Sequence, residues 1–182
     1  MALKLTTSYL EDSLALLRFY KSLAERAMEQ VADEQLVGTL DEEGNSIALI
    51  VKHMAGNMRS RWTDFLTTDG EKADRNRDGE FVDAPATRVA LLEMWEEGWA
   101  CVFAALEPLS DADLSRTVSI RGEPHSVMQA IHRQVAHYAH HVGQIVFLAK
   151  HFSHDRWKSL SIPRNRSAEF NQSVGSGERS QR

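Results

Sequence analysis

A chain of 182 residues with 42% apolar and 26% charged residues has the size and composition of one globular domain with a short tail. A formal net charge of −5 leaves no basic footprint, and no apolar run approaches the roughly 18 residues that span a bilayer, so neither nucleic acid nor a membrane is an expected partner. The single cysteine, Cys101, excludes an internal disulfide framework; with no signal-peptide pattern after Met1, the expectation is a cytoplasmic protein.

Ser8 followed three residues later by Glu11 is a capping-box pattern, and Leu10, Leu14, Leu17, Ala24 and Ala27 recur at helical spacing as far as Met28. This predicts the first helix. Residues 33–44, acidic and carrying Gly38 and Gly44, read as a connection. Asn45 or Ser46 can cap a second helix over residues 47–66, whose stripe holds Leu49, Ile50, His53, Met54, Asn57 and Arg61, with Phe65 near its far end. His53 sits in the middle of this apolar face, where an imidazole needs partners for its nitrogens. Arg61 on the same stripe reads first as a surface cation, though with Asn57 it could line a mouth and hold an anionic group.

Residues 69–83 are dense in charge and glycine and have little to bury, so they read as a solvated loop, a crossover or an access lid. Thr87, or Asp83 ahead of Pro85, opens a third helix that ends near Leu106, with Leu92, Trp95, Trp99, Phe103 and Leu106 on one bulky stripe. Cys101 falls on the opposite side of the wheel from Trp99, which argues for a surface or interface cysteine and against a catalytic thiol. Glu107-Pro108 ends the helix, residues 110–113 start one short turn, and residues 117–123 alternate as a short extended or hairpin piece.

Ser126 with Gln129 is a second capping box, and Pro124 just upstream cannot lie inside a helix, so a long fourth helix runs from Ser126 to Lys150. Ala130, Gln134, His137, His141, Gln144, Ile145 and Leu148 share its inward stripe. His137 and His141 stand one turn apart, the spacing that lets two imidazoles reach one metal ion, while His132 and His140 point away. If the second and fourth helices face each other, His53 joins them. Three neutral imidazoles and an open position suit a metal that activates a water or binds a substrate atom. The bland alternative is a chance pair in a chain with eight histidines, beside a His53 that bonds a backbone carbonyl. Glu-x-x-His di-iron motifs, a His-Glu-x-x-His protease helix and a phosphate loop are all absent. Beyond Phe152, Trp157, Leu160, Ile162 and Phe170 can pin the start of a tail, and from Gln172 nothing remains to bury, so disorder is expected there. Four amphipathic helices without a convincing sheet specify an all-α four-helix bundle over residues 1–155, with an extension over residues 156–182.

His137-Tyr-Ala-His-His141-Val-Gly-Gln-Ile145 resembles the final-helix motif of the DinB/YfiT-like superfamily, in which a His-x-x-x-His pair is closely followed by Gly-Gln. Ser46-Ile-Ala-Leu-Ile-Val-Lys-His53-Met resembles the segment carrying its first histidine, and Gly122-Glu-Pro-His-Ser-Val127 the approach to its last helix. The resemblance implies a four-helix bundle whose His53, His137 and His141 hold a divalent metal, zinc or nickel. Characterised members include thiol S-transferases that use bacillithiol or mycothiol and a thiol-dependent maleylpyruvate isomerase. The resemblance thus implies a metal-dependent enzyme acting on a small molecule, a thiol S-transferase or a hydrolase-like activity, with a low-molecular-weight thiol as cosubstrate and a homodimer as the assembly. The residues 161–170 resemble the branch of the superfamily without an assigned function. Gln144 either orients a ligand or caps a carbonyl, and no general base stands out besides a metal-activated thiol or water. The competing expectation is a non-catalytic dimeric bundle with a structural or vestigial metal site.

Overall fold

Ser126 accepts a hydrogen bond from the Gln129 amide while the Gln129 side chain returns to the Ser126 amide at 2.8 Å, and this reciprocal cap starts the longest helix of the chain. The computed structural model describes residues 6–178, and these are mostly helical. The readings of residues 1–5 and 179–182 lie outside the described residues. In chain order the helices are α1 (Tyr9–Met28), α2 (Asp33–Leu36), α3 (Ile47–Trp62), α4 (Arg88–Leu106), α5 (Val127–Ser153) and α6 (Ser167–Gly175). Ser8, Ser46 and Thr87 cap α1, α3 and α4 with their side-chain oxygens, so all four long helices begin where a local polar signal places them. α3, expected from the sequence over residues 47–66, ends at Trp62, because Thr63 is extended and Asp64 takes a positive φ of 48°.

α3 packs against α4 and α5, and α1 packs against α5 and α4. Leu17, Ile47, Met54, Met58, Trp95, Trp99, Ile131 and Ile145 are essentially inaccessible between them. Wholly buried apolar side chains of this size contribute about 1.5–3 kcal/mol each, and they fix which face of each helix turns inward. Tyr138 lies at the centre of this core, where its hydroxyl accepts from Trp62 Nε1 at 2.9 Å and donates to Asn57 Oδ1 at 3.2 Å. Burial pushes its phenol above the ordinary tyrosine range.

The alternating stretch before α5 forms a two-stranded antiparallel hairpin, β1 (Thr117–Ile120) and β2 (Glu123–Ser126), with Thr117 opposite Ser126 and Ile120 opposite Glu123. Its turn places Arg121 and Gly122 at φ 56° and 76°, the double left-handed geometry of a tight hairpin turn. Asp69 clamps this turn by accepting from the Arg121 and Gly122 amides, each at 2.8 Å, and from the Ser119 hydroxyl. These bonds hold the Asp69 carboxyl well below the usual range, the Ser119 hydroxyl first among them.

Trp157 and Leu160 pack on the core, and Gln30 fastens the tail by bonding both backbone groups of Lys158. Ile162 is exposed. α6 continues past Gln172 to Gly175, although none of its residues is buried. Among the described residues no helix is long and apolar enough to cross a membrane.

Candidate metal centre

The site begins with register. His53 lies on the buried face of α3, and His137 and His141 lie one turn apart on the face of α5 that meets it. His137 Nε2 is 3.4 Å from His53 Nε2 and 3.1 Å from His141 Nε2, and all three donor atoms lie within 4.8 Å of one another. Two nitrogens each about 2.1 Å from a tetrahedral ion stand roughly 3.4 Å apart, so the cluster has the dimensions of a metal site. His140 is exposed and rotated off the cluster, and His132 is exposed as well.

The other ring nitrogens decide whether those atoms can ligate. His53 Nδ1 is 2.8 Å from Glu80 Oε2. A carboxylate only accepts, so Nδ1 carries the proton and Nε2 keeps its lone pair for the cluster. His141 Nδ1 is 2.8 Å from Gln144 Oε1, while the Gln144 amide nitrogen lies 3.3 Å from His140 Nε2; this assigned orientation makes His141 Nε2 a lone-pair donor too. Gln144 therefore orients a candidate ligand. His137 Nδ1 is buried with no partner. Burial, then the neighbouring His141 and His53, push His137 down to about 3, and burial also lowers His141. Both shifts favour the neutral imidazole, the form that metal ligation requires.

The loop over residues 69–83 departs from the expectation of a solvated surface. It contains a short 3-10 turn, Asp78–Phe81, which seats Glu80 against His53 and stacks the Phe81 ring on the imidazole at 4.6 Å between centroids. Arg75 holds Glu80 through Nε at 2.8 Å and Nη2 at 2.9 Å, and turns Nη1 to Glu71 at 3.1 Å. The side chains of Arg75 and Glu80 are 4% and 8% exposed. Burial alone would raise the Glu80 carboxyl, but the bonds from His53 and Arg75 hold it below the ordinary range. Charge inside this loop is paired charge, which is why it can be buried. The only cue in the sequence was the unmet nitrogen of a buried His53.

Arg61 also departs from expectation. It is buried rather than superficial, and burial lowers its affinity for its proton. Cys101 is half-buried against the core on α4 and does not line the histidine cleft. That cleft has a volume of about 400 Å³. A larger cavity of about 660 Å³ on the other side of Arg75 is bounded by Lys52, Ser60 and Lys72. The three histidines line the smaller of these two cavities and not the larger.

The arrangement of the long helices is that of DinB-like proteins. A crystal structure of a DinB-like protein from Bacillus cereus is similar in fold, with a TM-score of 0.62 over 78% of this chain and 91% of that one, at 14% sequence identity. This chain belongs to the family described as protein of unknown function (DUF1572), whose model matches residues 4–166 and which lies within the DinB-like superfamily. Comparison with curated proteins gives no match.

Proposed function

We propose that this chain is a four-helix bundle over residues 1–155 with an extension over residues 156–182, and that His53, His137 and His141 hold one divalent ion, zinc or nickel. A cation in that position would lower the pKa of a bound thiol or water enough to make the anion available near neutral pH. On this reading the protein is a metal-dependent enzyme, a thiol S-transferase or a hydrolase-like catalyst, acting on a small electrophile. The observation that carries it is the pair of Nδ1 contacts, Glu80 on His53 and Gln144 on His141, which leave both Nε2 lone pairs aimed at one point.

The chain's own groups divide the work. Glu80 fixes the tautomer and plane of His53, Arg75 fixes Glu80, and Phe81 covers the His53 ring against water. The convergent group contains three side chains, and the adjoining cleft leaves room for a reactant, which supports an open site over an inert one. The homodimer is proposed on family resemblance alone, and a concentration-independent monomer in sedimentation would remove it; the cytoplasmic setting is proposed from the single cysteine and the N-terminal pattern.

The direct test is elemental analysis of freshly purified protein, followed by a thiol-conjugation screen with the metal-loaded form. Close to one equivalent of zinc or nickel and metal-dependent consumption of thiol are expected. Protein that neither carries nor takes up a divalent ion would sink this reading.

A further inference from the structure

Five arginines line the cleft beside the histidines, Arg61, Arg75, Arg77, Arg121 and Arg133, and no carboxylate does. The acidic groups behind it answer only part of that charge. Glu80 is taken by Arg75 and His53. Glu71 is shared by Arg75 at 3.1 Å, Arg121 at 3.4 Å and Arg61 at 3.7 Å. Arg77 has the fully exposed Asp78 at 3.9 Å, and Arg133 forms no ion pair among the described residues. A protein with a net charge of −5 thus concentrates positive charge at one opening.

Two of these residues are held there against local preference. Arg61 is 4% exposed, yet its Nε and Nη1 donate to nothing. A guanidinium does not give up its proton inside a protein, so those donors carry a desolvation cost that Glu71 alone does not answer. Arg121 occupies a left-handed turn position that hairpins normally give to Gly, Asn or Asp, and Asp69 pins it there. A clamped, strained backbone carrying a charged side chain to the rim of a cleft is a feature of binding sites.

We infer that the open side of the site is built for a ligand bearing an oxyanion, a carboxylate or a phosphate, whose charged end is gripped by Arg61 and Arg121 while its other end faces the histidines. Planar guanidinium groups pair two-pronged with such oxygens, and Arg133 adds charge at the entrance. Only the second half of this statement rests on the proposed metal site; the arginine contacts stand without it.

The test is calorimetric titration at low ionic strength of zinc-loaded and chelator-treated protein with succinate, with inorganic phosphate and with uncharged succinamide. Succinate or phosphate should bind and succinamide should not, and the stronger of the two anions identifies the kind of oxyanion. Arg61→Gln and Arg121→Gln should each weaken that binding by roughly tenfold or more, whereas Arg59→Gln, on the exposed side of α3, should not. Arg121 is exposed, so Arg121→Gln keeps the test valid if Arg61→Gln fails to fold by circular dichroism. Arginine-dependent binding by a protein that cannot be loaded with zinc would keep this inference while the metal reading falls. Binding of neither anion, or binding that needs zinc but ignores both arginine substitutions, would overturn it.

Discussion

Glu80 Oε2 lies 2.8 Å from His53 Nδ1, joining two side chains 27 residues apart in a buried, charge-assisted contact. The pair sets the His53 tautomer, and Arg75 in turn sets the pair. Glu80→Gln keeps the shape but sets an amide beside the Arg75 donors. Zinc affinity, read by competition with a chromophoric chelator, should fall about 10–100-fold. Stability should fall by roughly 3–5 kcal/mol, because Arg75 then loses a buried partner. Unchanged zinc affinity in a folded variant would show that His53 needs no such support.

On the proposed three-histidine site, each ligand is indispensable. His53→Ala, His137→Ala and His141→Ala should each sharply reduce metal retained through gel filtration, while His140→Ala and Cys101→Ser keep it. The contrast is sharp for His140, the immediate neighbour of His141, whose ring centroid lies 5.2 Å from it. Full stoichiometry in all three ligand variants would move the site elsewhere.

Protons should act on the metal-free protein in a defined direction. Burial and the neighbouring imidazoles put His137 at about 3 and lower His141, whereas an unfolded histidine titrates near 6.5. Below that pH the unfolded chain takes up protons that the folded chain refuses. Stability is therefore full above about 6.5 and declines as pH falls toward 3. Chelator-treated protein should show this decline in Tm between about pH 7 and pH 4, and His137→Gln should flatten it. Equal slopes would assign the decline to other groups. Metal release should likewise come below about 6.5 rather than at it, since burial already holds His137 and His141 against protonation.

Tyr138→Phe tests the core without touching the cluster. Removing one hydroxyl leaves Trp62 Nε1 without its acceptor and Asn57 Oδ1 without its donor. Urea unfolding at 25 °C should show a loss of roughly 1–3 kcal/mol with zinc affinity unchanged. A lost metal site would mean that the core bond network also positions the histidines.

The legible parts of this molecule were the local ones. Ser8, Ser46, Thr87 and Ser126 announce helices because a cap acts within three residues of itself, and His137 and His141 share a face because four residues make about one turn. The convergence of His53 with them rested on which helices face each other, which no single wheel states. Arg75 and Glu80 read as solvated because charge and glycine without periodicity normally are, and Arg61, although on a helical stripe, reads first as a surface cation because a lone arginine usually is. Their burial depends on partners supplied across the fold, His53 for Glu80 and Glu71 for the arginines. Unmet hydrogen bonds, rather than periodicity, were the remaining trace in the sequence.

Gly56 sits inside α3 directly beneath Glu80, and a methyl group there would meet Glu80 Cδ at 2.8 Å. That carboxylate cannot step aside freely, being pinned by Arg75 and His53. A glycine in a helix interior sacrifices about 1 kcal/mol relative to alanine. Gly56→Ala would thus make α3 a better helix and a worse seat for its own histidine, so the vacancy of one methyl group is where helix stability yields to the fit of Glu80 against His53.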